Sequence, residues 1–207
     1  MKAFLYVGGA IRAENITEKP RGGDLVIAAD SGLLNAKALG AKPSILLGDF
    51  DSLDEPDEDP EVKIVRLPAE KDVTDTQAAV SLALEKGADE IVIIGGLSGR
   101  LDHTLSVLAV LEDLDARHVH ALATDGQNRA RFLRNNSTLI ARSGFRYLSL
   151  IAADPVVKGI TLEGCKYPLK KARLVRTHQY AISNELTGNC ALIDIRRGGV
   201  WILETAD

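Results

Sequence analysis

At 207 residues, with 45% hydrophobic and 26% charged side chains, the chain has a globular make-up and length for one large or two small cores. No apolar run approaches the roughly 20 residues of a membrane span, and two cysteines, Cys165 and Cys190, make neither a disulfide framework nor a zinc site. The net charge of −4 hides an asymmetry: residues 1–125 carry 12 Lys and Arg against 23 Asp and Glu (net −11), and residues 126–207 carry 13 against 6 (net +7). The basic half has no long Lys/Arg block and no RNA-binding signature, so nucleic acid is a minor alternative and no such partner is expected.

The start, Met1-Lys2 followed by Ala3 to Val7, is too short in its apolar part for a signal peptide and lacks a small-residue cleavage pattern. It reads as a first strand, and the cytoplasm is the expected location. Strands are predicted at 3–8, 25–29, 44–47, 62–67, 91–94 and 119–124, as short continuous apolar runs of the kind covered on both faces. Helices are predicted at 33–39, 75–86 and 102–113. The second opens on Thr74-x-x-Gln77, a capping box, with Asp75 in the first turn and Gly87 suited to its end. The third has Asp102 as its cap and Leu105, Leu108 and Ala109 as its buried stripe. Such alternation implies a doubly wound α/β sheet. The run 54–61, mostly Asp, Glu and Pro, reads as a solvated loop.

Beyond about residue 126 the texture changes to short strands at 130–133, 137–141, 146–152, 156–162, 172–175, 190–195 and 199–204. They are broken by Gly, Asn-Asn, Asp-Pro or Gly-Gly, which points to a small β-sandwich or barrel. The expected architecture is an N-terminal doubly wound parallel α/β domain over 1–127 followed by a C-terminal β-sandwich over 128–207.

Three acidic clusters each follow an apolar run: Asp30, Gly48-Asp49-Phe50-Asp51-Ser52, and Asp72-Val73-Thr74-Asp75. In an open parallel sheet the carboxyl ends of the strands share one crevice. Carboxylates gathered there repel one another, by about 4 kcal/mol per close pair near a protein surface, so a cation is required. Oxygen-only donors suit Mg²⁺ carried by phosphates. Gly95-Gly96-Leu97-Ser98-Gly99-Arg100 follows a strand and opens a helix, offering backbone N–H groups and a guanidinium fork to phosphate. It has the spacing of neither a P-loop nor a dinucleotide fingerprint, and a glycine-rich turn is its plain alternative. Lys71 is a second phosphate cation or a surface lysine. His103, His118, His120 and His178 are given no catalytic role, and Trp201 alternates like a core strand residue.

Together these segments resemble the thiamine pyrophosphokinase family. The matching pieces are Ala29-Asp30-Ser31-Gly32, Pro43 through Ser52, Lys71 through Asp75, Gly95 through His103, Gly164 through Leu169, and Ser183-Asn184-Glu185. The resemblance implies a Mg²⁺-dependent transfer of pyrophosphate from ATP to thiamine, releasing AMP, by a homodimer with thiamine at the subunit interface. It implies Asp49, Asp51 and Asp75 as metal ligands and, with Arg100, as catalytic residues. Asp30, Lys71, Asp72, Thr74, Ser98, Arg100 and Asp102 would form the nucleotide pocket, and Tyr167, Ser183 and Asn184 the thiamine contacts. Against the family pattern, Asn35 falls one place late after Asp30, Val107 replaces a common asparagine, and Tyr167 stands where some members have Trp. A related enzyme acting on another alcohol such as a pterin, or a non-catalytic nucleotide or thiamine-phosphate sensor, are the alternatives.

Overall fold

The computed structural model describes residues 1–48, 62–68 and 72–207. Asp49, Asp51 and Lys71, and the acidic run 54–61, lie outside the described residues. Six parallel strands form one half of the main sheet: β1 (Lys2–Tyr6), β2 (Leu25–Ala29), β3 (Ile45–Gly48), β4 (Lys63–Arg66), β5 (Glu90–Ile94) and β6 (His120–Thr124). Their order is β4-β3-β2-β1-β5-β6, reversing direction at β1 as a doubly wound sheet does. Alternation along β1 shows why the strands read as unbroken apolar runs. Ala3, Leu5 and Val7 face the core covered by α2 (Asp75–Glu85) and α3 (Leu101–Ala116), while Phe4 and Tyr6 face the core under α1 (Gly32–Ala38). The edge strand β4 is largely exposed and carries Lys63 and Arg66, charges that discourage further pairing.

The capping box of α2 forms as expected: the Gln77 N–H donates to Thr74 Oγ1 at 3.2 Å and the Thr74 N–H donates to Gln77 Oε1 at 3.0 Å. The start of α3 corrects the sequence reading. Arg100 occupies the capping position without a side-chain cap, and Asp102 lies inside the first turn. The buried stripe is Val107, Val110, Leu111 and Leu114, whereas Leu105 is 56% exposed and Ala109 is exposed too. Apolar residues surround much of this helix, so its own period does not choose a face. The choice is made by packing on β6 and on β7 (Asn128–Arg134).

The sheet does not stop at residue 127. Asp125 to Gln127 form the turn of a β6–β7 hairpin, and the main sheet continues antiparallel through β7, β13 (Gly199–Thr205) and β9 (Tyr147–Ala152). It holds nine strands among the described residues. A second sheet of β11 (Leu169–Val175), β10 (Val156–Glu163), β12 (Cys190–Arg197) and β8 (Ser137–Ala141) covers one face of this extension. Leu133, Leu150, Val200 and Ile202 meet Val157, Ile160, Ile193 and Ile195 in that sandwich core. On the other face Phe132 and Trp201 lie under α3, edge to face at 5.8 Å, and Trp201 Nε1 donates to the Leu108 carbonyl at 3.1 Å. Both layers thus share β7 and β13.

Two ion clusters stitch the halves together. Arg129 on β7 pairs with Glu18 at 2.5 Å and with Glu204 on β13 at 3.6 Å; Glu204 also takes Arg131 and accepts from Ser143 Oγ at 2.8 Å. Arg134 bridges Glu112 of α3 at 2.8 Å and Asp154 at 2.7 Å, and Asp154 also accepts from the Gly199 N–H at 3.0 Å. The Arg134 hydrogen bond holds the Asp154 carboxyl below its usual range. A depressed carboxylate stabilises the fold above its unfolded pKa and stops doing so as pH falls through the folded value. Arg134→Ala is therefore expected to cost about 1–2 kcal/mol at neutral pH, a deficit that shrinks as pH falls below about 4. Urea unfolding across pH tests this, and a pH-independent deficit would contradict it.

Candidate active site

The carboxyl ends of β1, β2 and β5 open on a cleft of about 260 Å³. Val7, Gly8 and Gly9 leaving β1, Ser31 before α1, Thr74 and Thr76 at the start of α2, and Gly96 to Arg100 before α3 border it. His103, Ser106 and Val107 on the first turns of α3 close one side. Gly32 lets α1 begin against β1: a Cβ there would stand 2.1 Å from the Tyr6 carbonyl oxygen, so no other residue fits without displacing the helix.

Asp30 ends β2 with φ +50, its N–H donating to the Leu47 carbonyl at 2.8 Å and its carbonyl accepting from the Leu33 N–H at 3.1 Å. It lies against Gly48, where a Cβ would come within 3.4 Å of the Asp30 backbone. Asp72 is exposed, Thr74 lines the cleft, and Asp75 is half-buried as the first residue of α2, where the helix dipole favours a carboxylate. Among the described residues no three Asp, Glu, His or Cys side chains gather closely enough to hold a metal ion; Asp49 and Asp51 lie outside them.

Ser98, which lines the cleft, donates its hydroxyl hydrogen to the Ala10 carbonyl at 2.9 Å. Arg100 forks onto Asp102, Nε at 3.1 Å and Nη2 at 2.6 Å, and both side chains are exposed. That pairing lowers the Asp102 carboxyl to about 2, so it remains an anion throughout the ordinary pH range. The guanidinium is thereby held at the cleft mouth, with Nη1 outside the fork. Arrival of a phosphate would set two anions competing for one cation.

Tyr167, Ser183 and Asn184 come together on the sandwich, away from the cleft lining. Asn184 is only 4% exposed, and its amide closes a two-bond clasp on Tyr167: Nδ2 donates to the Tyr167 carbonyl at 2.7 Å and Oδ1 accepts from the Tyr167 N–H at 3.0 Å. The clasp leaves the Tyr167 ring 60% exposed, with Lys166 Nζ 5.5 Å from its centroid. Ser183 has φ +57, fixed by donation of its N–H to the buried Ser149 Oγ at 3.0 Å. Residues 181–184 bond along β9, covering that edge of the main sheet.

Gly8, Gly9 and Asn35 were not assigned to the site from the sequence. The Gly-Gly pair follows its apolar run just as Gly95-Gly96 follows β5, which is the signal available. The sequence marks Asn35 only as an asparagine one place late after Asp30, and its bonds run to backbone carbonyls 26 and 28 residues away in the chain.

Residues 21–122 match the model for the thiamin pyrophosphokinase catalytic domain, and residues 137–199 that for the thiamin pyrophosphokinase vitamin B1 binding domain. The chain is 30% identical over 190 residues to a thiamine pyrophosphokinase of Bacillus subtilis, covering 88% of each. It is 28% identical over 185 residues to thiamin pyrophosphokinase 1 of Caenorhabditis elegans, covering 85% of this chain and 76% of the other. The crystal structure of thiamine pyrophosphokinase from B. subtilis superposes over 100% of both chains with a TM-score of 0.89 at 27% identity.

Proposed function

Since the chain belongs to the thiamine pyrophosphokinase family, we propose that it transfers the pyrophosphoryl group of ATP to the hydroxyl of thiamine, giving thiamine diphosphate and AMP. The observation that carries this reading is the cleft itself. It gathers backbone-rich turns, Thr74 beside Asp75, and Arg100 at the carboxyl end of a parallel sheet, a place where nucleotides bind. A pterin acceptor or a non-catalytic role is not favoured once the family is known.

In this reading Asp75, with Asp49 and Asp51 by motif, would hold Mg²⁺, an ion suited to an oxygen-only donor set beside phosphates. When bound, the ion neutralises phosphate charge. The protein's own part is positioning and electrostatics, as in phosphoryl transfer generally. Thr74, Ser98 and the Gly96 to Gly99 turn seat the phosphates, while Arg100 and Lys71 take up negative charge. Asp30, Asp72 and Asp102 complete the pocket, Asp102 by steadying Arg100. The thiamine oxygen attacks the β-phosphorus, the bond from that phosphorus to the α–β bridging oxygen breaks, and AMP leaves. The hydroxyl proton passes to a carboxylate of the acidic cluster.

We assign nucleotide and metal binding to residues 1–127 and thiamine binding and dimer formation to residues 128–207. Tyr167 offers an aromatic face to the thiamine ring, and Ser183 and Asn184 flank it. The support is the exposure of Tyr167 and Ser183 and the grouping of all three on the sandwich, away from the cleft; a homodimer would let the sandwich of one subunit serve the cleft of its partner. Among the described residues no helix is long and apolar enough to cross a membrane, which accords with a cytoplasmic enzyme. Incubation with ATP, Mg²⁺ and thiamine should yield AMP and thiamine diphosphate in equal amounts. ADP as the co-product, or no turnover with thiamine, would overturn the assignment.

A further inference from the structure

We propose that Asn35 is a positioning residue for the triphosphate side of this reaction: its side-chain amide fixes the strap of residues 7–10 that borders the cleft. The inference rests on the reading of the cleft as the nucleotide site.

The strap is held from two sides in alternation. From α1, the single amide nitrogen of Asn35 donates to the Val7 carbonyl at 2.7 Å and to the Gly9 carbonyl at 2.9 Å. From the turn before α3, the Gly96 N–H donates to the Gly8 carbonyl at 2.9 Å, and Ser98 Oγ donates to the Ala10 carbonyl at 2.9 Å. Four consecutive carbonyls thus each have a donor. Among the described residues the N–H groups of Gly8, Gly9 and Ala10 donate to no protein acceptor. Gly8 and Gly9 line the cleft, and Gly9 has φ +101, a conformation that side-chain-bearing residues rarely adopt.

This arrangement matters because a peptide unit presents either its oxygen or its N–H to a neighbour. Phosphate oxygens are repelled by a carbonyl and attracted by an amide. Asn35 draws the Val7 and Gly9 oxygens toward α1, and Gly96 and Ser98 draw the other two the opposite way. The strap is left with only donors to offer an anion. Asparagine suits the task because one terminal nitrogen carries two hydrogens, so two carbonyls are satisfied from one atom. An aspartate of the same shape would set a carboxylate against both carbonyls. The Gly95 position belongs to the same knot, since a Cβ there would stand 2.6 Å from the Val7 oxygen and 3.2 Å from Asn35 Nδ2.

Steady-state kinetics on Asn35→Ala, Asn35→Asp, Asn35→Ser and Gly9→Ala, with thermal melts of each, test the proposal. Asn35→Ala and Asn35→Asp should raise KM for ATP about tenfold or more, with KM for thiamine within about twofold of the parent. Asn35→Ser, which keeps one shorter donor, should fall between and serves if the others do not fold. Gly9→Ala would place a Cβ 3.0 Å from Ser98 Oγ and should raise KM for ATP independently. If Gly9→Ala raises KM for ATP and the Asn35 variants merely melt earlier, the Asn35 role is overturned while the cleft assignment stands. If KM for ATP is unchanged in every variant, both fall.

Discussion

Asp75→Asn is expected to lower kcat about a thousandfold, some 4 kcal/mol of transition-state stabilisation, with a melting curve close to the parent's. The amide keeps the shape of the carboxylate and still sits in the first turn of α2, so the helix loses little. The cap itself belongs to Thr74 and Gln77, whose reciprocal bonds do not involve Asp75. Thr74→Ala supplies the contrast: it removes the capping oxygen and should cost about 1 kcal/mol of stability. Asp49→Asn and Asp51→Asn should behave as Asp75→Asn does if the three carboxylates share an ion. AMP release at saturating ATP and thiamine measures the effect, and a kcat within threefold of the parent in Asp75→Asn would remove that residue from the reaction.

Glu204→Gln should have the largest effect on stability, about 3–5 kcal/mol. Glu204 is a buried carboxylate that serves Arg129 and Arg131 together and accepts from Ser143. Its loss leaves two guanidiniums side by side on one face of β7, with Glu18 offsetting Arg129 alone. The cost arises from uncompensated buried charge, so the neighbouring stack of Arg129 on the Phe145 ring cannot replace it. A typical domain has only about 5–15 kcal/mol in hand, so the variant should unfold at much lower urea. A shift under 1 kcal/mol would show that solvent reaches the cluster.

The main-chain plan was legible from burial: Leu25–Ala29, covered on both faces, is an unbroken apolar run, and Cys190–Arg197, with one face in the sandwich core, alternates. The start of α2 was equally plain, since a capping box is a local device whose partners lie three residues apart. The register of α3 was not. Leu105 and Val107 are both apolar, and only contact with β7, whose sequence lies beyond the helix, decides which one is buried. The same holds for the joint between the two halves. Charge and texture change near residue 126, yet hydrogen bonding carries the sheet across that point through the pairs Ala123↔Ala130 and Thr124↔Arg129. At the site, carboxylates and glycines following strands could be picked out as types. The clasp of Asn184 on Tyr167 and that of Asn35 on the Val7–Gly9 carbonyls could not, because they depend on which backbone atoms folding brings opposite an amide.

The position of β13 between β7 and β9 has a consequence for how the chain is made. While synthesis proceeds, residues 128–134 and 147–152 emerge well before residues 199–205, the strand that pairs with both. Until then each presents an open row of backbone donors and acceptors beside apolar side chains, the kind of surface that joins stray neighbours. Translation speed and holding chaperones should therefore govern yield more than the final stability does, and ribosome-bound fragments ending before residue 199 should be the species that clump.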